Sequence, residues 1–422
     1  MRIVVVAEVF LPKVDGVVGR TVNLIDRLSA AGDEVLVVAP HGDGCDEASA
    51  PVISCRSFPF RSYPEYRIGL PDARLAAAVR KFEPDVVHYV NPFAFGFRTF
   101  DRLQRVLPAT PSVFSFHTLY AEFVKGYPLL GVLSRPLWEL TRTYHNRADA
   151  NLTVSSVMQD ELMERGFRRV ALWPPAVDAE LFSPTRTCPQ MRSRLTGDRP
   201  DRRLLLTVSR LAPEKNVEFL VELIRRLPDA CLAVVGDGPS RADLQRKFAA
   251  TDTRFFGYLK GESLAAAYAT ADAFVYASET ETMGNVVLEA LASGASVVAP
   301  RAGGLPSLVA DGTTGLLYTP RNVAEAVDAA GRLLSDEALR QSIGQQARRD
   351  AENRTWAAAV ETVRAVYRSA IEDAQFGRVA TSRIRPRIAR FAVDGLVLAS
   401  RLAAPRRSMA AIAAEPAVTT VT

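Results

Sequence analysis

The chain is poor in cysteine and histidine and has no long apolar run, and each shortage removes a class of protein. Its four cysteines are Cys45, Cys55, Cys188 and Cys231, none of them in a Cys-x-x-Cys pair, and only four histidines accompany them. The close ligand pairs of a structural zinc site are therefore missing. Four scattered cysteines in 422 residues also do not make a disulfide scaffold. They read as free thiols in a reducing cytoplasm. No stretch approaches the ~18 apolar residues of a spanning helix. The run Ile3 to Val6 is too short for the apolar part of a secretory leader, and Glu8 follows it. No Asp-x-Asp pair occurs, so the usual carboxylate pair for holding a diphosphate-bound metal is lacking, and no metal site is expected.

What is present is an ordinary globular composition, 48% apolar and 23% charged. The length suits two to three domains of about 150 residues each. The net charge of +5 is unevenly placed. The stretch 376–422 holds eight arginines and no lysine against Asp394 and Glu415, a balance of +6, so the remaining 375 residues carry −1. The tail reads either as a solvated terminus or as an electrostatic contact with an anionic membrane, worth about 1 kcal/mol per basic residue near the surface. Aromatic residues do not interleave its arginines, so nucleic-acid binding has no support.

Short β-branched runs alternate with amphipathic helices. Strands are expected at 2–10, 34–40, 85–90, 112–117 and 150–156. Helices are expected at 18–31, 72–82, 96–106, 129–147 and 157–165. The strands are continuously apolar rather than alternating, the mark of a parallel sheet covered on both faces. Residues 183–203 are polar, contain three prolines and lack an apolar period. They read as a linker. A second series follows, with strands at 204–210, 231–237, 254–259, 273–278, 296–300 and 315–320 and helices covering 322–335, 336–352 and 355–373. The expectation is α/β: a first doubly wound domain at 1–182, a linker at 183–203, a second domain at 204–354, a helix at 355–375 crossing back to the first, and a basic tail at 376–422.

In doubly wound sheets, ligands sit at the carboxyl ends of the strands. Glu281 and Glu289 lie eight apart after the strand at 273–278, a little over two helical turns, so both can lie along one helix face. Between them, Met283, Gly284, Asn285 and Val286 start a helix whose free amides suit hydroxyl or anionic oxygens. A solvated acidic turn is the plain alternative. Arg210 and Lys215, five apart on a strand-to-helix loop, can converge on a diphosphate, or can simply be solvated. Lys13, Gly16 and Arg20 occupy the first such loop. Only Gly16 and Gly19 are present there, and Gly236-Asp-Gly238 also lacks a third glycine, so neither is a dinucleotide fingerprint. Either could be only a tight turn. His117 ends a strand and faces the cleft, or else belongs to the core. Gly303 and Gly304 offer flexible amides, or merely lead into the next helix.

In this order and spacing, these pieces resemble the family 4 retaining glycosyltransferases of the GT-B fold, two Rossmann-like domains facing a cleft. The resemblance covers about residues 1–375. FLPKVDGVVGRTVNL, DVVHYVNP and FSFHT are similar to the branch that holds GDP-mannose-dependent α-mannosyltransferases and the sulfoquinovosyl- and glucosyl-diacylglycerol synthases. It implies that Glu289 accepts from the ribose hydroxyls, and that Glu281, with the Met283 to Val286 amides, meets the donor hexose. It implies that Arg210 and Lys215 hold the diphosphate and that Gly16 lets the first loop close on it. His117 would sit beside the sugar at its C6 side and the anomeric centre. Gly236, Gly238 and Pro239, with the loop at Tyr258 and Leu259, would border the base. Many members carry two glycines in the first loop where this chain has Asp15 and Gly16.

The resulting expectation is an enzyme without a cofactor. It would move a hexose, mannose first, from GDP-mannose or a UDP-hexose to a lipid acceptor, in the cytoplasm or peripherally on the inner membrane face. The alternatives are a UDP-sugar-dependent transferase acting on diacylglycerol or on a soluble glycan or polyol, and a non-catalytic nucleotide-sugar-binding protein.

Overall fold

The computed structural model describes residues 1–13, 15–40, 48–60, 63–120, 132 and 134–376. All but the first residue of the basic tail lies outside these described residues. Strand β1 (Arg2–Ala7) is buried from Ile3 onward, as a parallel strand flanked by helices on both faces must be. The first half adds β2 (Glu34–Ala39), β3 (Val52–Ser54), β4 (Arg56–Phe60), β5 (Tyr63–Leu70), β6 (Val86–Val90), β7 (Ser112–Phe116), β8 (Ala150–Thr153) and β9 (Val170–Leu172). The second half holds β10 (Arg203–Val208), β11 (Ala230–Val235), β12 (Thr253–Phe255), β13 (Ala273–Val275), β14 (Val297–Pro300) and β15 (Gly315–Tyr318).

Two parallel sheets result. The first runs β3-β2-β1-β6-β7-β8-β9 and the second β12-β11-β10-β13-β14-β15. Ile3 pairs with Val35 on one side and Val86 on the other, and Leu205 pairs with Leu232 and Ala273. In each sheet the winding reverses beside the first strand, between β1 and β6 and between β10 and β13. Such a reversal opens a crevice at the carboxyl ends of the strands. Each sheet has an apolar core on both faces. The long helix Trp356–Gln375 follows the second sheet in sequence, yet packs Trp356, Val360, Val363 and Tyr367 into the core under Ile3, Val5 and Val86.

Three departures from the sequence reading have physical causes. The polar stretch 183–203 contains a helix, Pro189–Thr196. Its only buried apolar residues are Met191 and Leu195, one turn apart, which gives no detectable period. Its boundary signals are nevertheless present: Pro189 in the first turn and Gly197 in the left-handed conformation at the end. The antiparallel hairpin β4–β5 escaped notice because Pro59 and Pro64 interrupt its pattern. Strands β1 and β13 end at Ala7 and Val275, earlier than expected, because Glu8 and Tyr276 to Ser278 turn into the crevice loops.

Candidate active site

The second half contributes a loop in which charge is paired. Lys215 lies at the end of a short 3-10 turn, Pro213–Lys215, and donates from Nζ to Glu281 Oε1 at 2.5 Å. Tyr276 Oη donates to the same oxygen at 2.8 Å. Burial raises the Glu281 carboxyl pKa, but the charge and hydrogen bond of Lys215, with Tyr276 and Ser278, outweigh it and hold the group below its ordinary value. Glu281 is therefore a carboxylate at neutral pH. Glu289 differs. It accepts from Tyr268 Oη at 2.9 Å but has no cation beside it among the described residues, and burial pushes its carboxyl up to about 7.

Glu281 is not on the helix that carries Glu289. That helix spans Asn285–Ala292 and starts after Gly284, whose φ of +97° turns the chain in a way other residues rarely adopt. The Gly284 carbonyl takes the amides of Val287 and Leu288, and no side chain caps the end. The amides of Asn285 and Val286 in the first turn have no helical acceptor, so the terminus can receive an anion or a hydroxyl oxygen. Met283 is buried beneath it. Gly304 does not offer a free amide. The Gly304 N–H donates to Glu281 O at 2.7 Å, so this loop braces the Glu281 backbone.

Arg210 leaves the end of β10 half-buried. Burial lowers its guanidinium pKa, and Glu214, Tyr258 and Asp15 oppose the effect. The Gly236–Gly238 turn lies directly against this segment. At Gly236, with φ +128°, an added Cβ would sit 1.8 Å from Ser209 O, so only glycine fits. Leu211 N–H donates to Asp237 O at 2.9 Å, and Tyr258 Oη donates to the same oxygen at 3.2 Å. Leu259 packs partly buried on the core below.

The first half faces this loop. Asp15 caps the helix Gly16–Ala30, accepting from the amides of Val17 at 3.0 Å and Val18 at 2.8 Å, and pairs with Lys13 at 2.8 Å. The carboxylate standing where many family members have glycine thus serves as a helix cap. Gly16 lies close to the second half: an added Cβ would lie 2.7 Å from Asn285 Nδ2, which donates to Gly16 O at 3.2 Å, so a side chain there would displace the Asn285 amide. His117, 6% exposed at the end of β7, has both backbone groups engaged. Its N–H donates to Asn91 Oδ1 at 3.2 Å, and its carbonyl accepts from Thr282 Oγ1 at 2.6 Å across the crevice. Burial, with the charge of Arg20 and the neighbouring His88, pushes the imidazole well below its ordinary pKa, so it is neutral.

The structure thus gathers His117, Gly16, Glu281, Lys215, Met283 and Asn285 along one crevice. Arg20, from the first loop, is buried and reaches Trp173 O, Pro174 O and the Met283 sulfur, with its guanidinium 4.3 Å from the Trp173 ring centroid. Other contributors were not legible. Tyr268, Tyr276 and Thr282 each hold a candidate site group, but a lone Tyr in an apolar run, or a Thr in a polar loop, carries no spacing signal. Glu8, buried at the end of β1, accepts from the amides of Phe93, Phe95 and Gly96. It braces the helix Ala94–Val106. Among the described residues, no cluster of His, Cys, Asp and Glu is arranged to hold a metal ion. No described helix is long and apolar enough to cross a membrane.

Two family models divide the chain. Residues 14–181 match "Glycosyltransferase Family 4", and residues 194–350 match "Glycosyl transferases group 1". A GDP-mannose-dependent alpha-mannosyltransferase of Mycolicibacterium smegmatis is 38% identical over 84% of this chain and 94% of its own length. The chain belongs to the family 4 glycosyltransferases. This glycosyltransferase is also 36% identical to the sulfoquinovosyl transferase SQD2 of Arabidopsis thaliana, over 83% of this chain and 70% of that one. Its GT-B fold is that of Anabaena HepE in complex with UDP, with a TM-score of 0.72 at 19% identity over 87% of this chain and 100% of the other.

Proposed function

We propose that this glycosyltransferase moves a hexose, with retention and without a metal, from a nucleotide-diphosphate sugar to a lipid acceptor, with mannose from GDP-mannose as the first choice. The observation that carries the reading is the Lys215–Glu281 pair at 2.5 Å beside the uncapped terminus of Asn285–Ala292. It brings together a cation from the loop after β10 with a carboxylate and free amides from the loop after β13. In this reading the second half, 204–354, binds the donor and the first half, 1–182, the acceptor. Glu289 accepts from the ribose hydroxyls, and Glu281 with the Met283 to Val286 amides binds the hexose. Gly236, Gly238 and Leu259 border the base.

Arg210 and Lys215 offset the charge that grows on the departing diphosphate. Gly16 lets the first helix approach that group closely. The acceptor hydroxyl attacks the anomeric carbon on the face the phosphate leaves. The C–O bond to phosphate breaks as the new C–O bond forms, and the leaving phosphate oxygen takes the hydroxyl proton. No protein nucleophile is needed. Neutral His117 adds no charge near the anomeric centre.

The relative SQD2 favours a second reading, a UDP-sugar-dependent transferase acting on diacylglycerol. A donor panel of GDP-mannose, UDP-glucose, UDP-galactose and UDP-sulfoquinovose, incubated with a membrane lipid extract, separates the two by nucleotide release and lipid product. Turnover only with a soluble glycan or polyol would refute the lipid acceptor. Nucleotide binding without turnover on any donor would refute an enzyme. Attachment to the inner membrane face through the arginine-rich tail belongs to the same proposal. Deleting 377–422 should then lower sedimentation with anionic vesicles.

A further inference from the structure

A buried hydrogen-bond chain joins the crevice to the last helix. His117 Nε2 lies 2.9 Å from Ser115 Oγ, and the same oxygen lies 2.9 Å from His88 Nε2. His88 Nδ1 lies 2.6 Å from Tyr367 Oη. His88, Ser115 and Tyr367 have no exposed surface. They come from β6, β7 and the helix Trp356–Gln375, so three separate elements meet in one line.

Counting protons gives the chain a direction. Tyr367 Oη has no other partner among the described residues, so its proton must go to His88 Nδ1 or be buried without an acceptor. A buried donor left unpaired costs about 1–3 kcal/mol. His88 is buried and neutral, its pKa pushed down to about 3, so it carries one ring proton. With Nδ1 accepting, that proton is on Nε2 and is donated to Ser115 Oγ. The Ser115 hydroxyl then has one acceptor left for its own proton, His117 Nε2. His117 must therefore carry its ring proton on Nδ1, and that nitrogen has no partner among the described residues. The surroundings oppose a second proton. The Arg20 guanidinium stacks on Trp173, whose ring meets the His117 ring edge-on at 5.2 Å.

We propose that Tyr367, His88 and Ser115 are positioning residues that hold His117 as the Nδ1–H tautomer, so that it meets the donor sugar as a hydrogen-bond donor and not as an acceptor. The proposal rests on the placement of His117 in the donor site. It makes the last helix part of the site's chemistry: a tyrosine hydroxyl on that helix sets the polarity of an imidazole in the crevice. It also states what the ligand must offer there, an oxygen lone pair such as that of a sugar hydroxyl.

The test is nitrogen NMR of the full-length protein labelled in histidine at pH 7.5, with His88→Gln and His145→Gln used for assignment. Protonated Nδ1 on His117 and protonated Nε2 on His88 are expected. A proton on His117 Nε2, or on both its nitrogens, would overturn the proposal. Ser115→Ala should release His117 into a mixture of tautomers and lower kcat/KM about fivefold to tenfold, the scale of one hydrogen bond. With a 6-deoxy donor, which lacks the accepting hydroxyl, the same substitution should change kcat/KM less than twofold. An unmixed His117 tautomer in a folded Ser115→Ala protein would count against the chain. If that variant does not fold, the wild-type tautomers alone decide. A confirmed Nδ1–H tautomer together with turnover indifferent to His117→Ala would instead reject the donor-site placement, while leaving the tautomer established.

Discussion

Replacing Glu289 by Gln removes a charge that the structure holds at a cost. The carboxyl is buried, accepts from Tyr268 at 2.9 Å, and titrates near 7 in place of its ordinary 4.5 because burial penalises the charged form. A rise of that size corresponds to about 3 kcal/mol. The sign follows from proton counting. Between pH 4.5 and 7 the native protein holds the proton more tightly than the unfolded chain, so stability falls as pH rises through that window and then levels off. Gln keeps an acceptor for Tyr268 and never ionises. Glu289→Gln should therefore match the wild type near pH 4 and exceed it by up to about 3 kcal/mol at pH 8, read from urea unfolding at a series of pH values. Nucleotide binding should move the other way. If ribose hydroxyls donate to the carboxylate, wild-type affinity should fall up to tenfold per pH unit below about 7, with proton release visible by calorimetry in buffers of different ionisation enthalpy. Affinity for the Gln variant should be weaker and flat. A stability gap independent of pH would refute the burial argument, and a flat wild-type affinity would refute the ribose role.

Lys215→Met leaves Glu281 buried without its cation. The Glu281 pKa should rise, and kcat/KM should drop about 100-fold, the scale for losing one group that stabilises developing charge. A loss under tenfold in a folded variant would contradict its place on the diphosphate. Gly16→Ala puts a Cβ 2.7 Å from Asn285 Nδ2 on a helix that tolerates alanine. The melting temperature should hold while kcat/KM falls about tenfold, with partial recovery in the Gly16→Ala, Asn285→Ala double variant. An unchanged kcat/KM would mean that the contact across the crevice is idle. Exhaustive treatment with EDTA should leave turnover unchanged. A loss restored by Mg²⁺ or Mn²⁺ would show that Arg210 and Lys215 do not replace a cation.

The sequence by itself determined the layered α/β architecture, because continuous apolar strands separated by amphipathic helices have few other ways to bury themselves. It also marked the residues proposed to bind the donor: Arg210, Lys215 and Glu281 stand in strand-to-helix loops, and Glu289 lies eight residues after Glu281. What it could not supply were relations between residues far apart in the chain. Glu281 and Glu289 look like a pair on one helix, yet Gly284 turns the backbone between them. Lys215 then makes one a carboxylate, and burial lifts the other to about 7. The short hairpin β4–β5 and the helix Pro189–Thr196 stayed hidden because two buried residues or an interrupting proline leave no period. Asp15 reads as a departure from a glycine loop until the structure shows it capping a helix. Tyr367 looks like one more apolar position on the last helix, and only tertiary packing sets its hydroxyl against His88, 279 residues away in sequence. Local pattern reports how a segment is buried. Ionisation and proton placement depend on which distant groups share the buried volume, and that is decided when the sheets and helices pack.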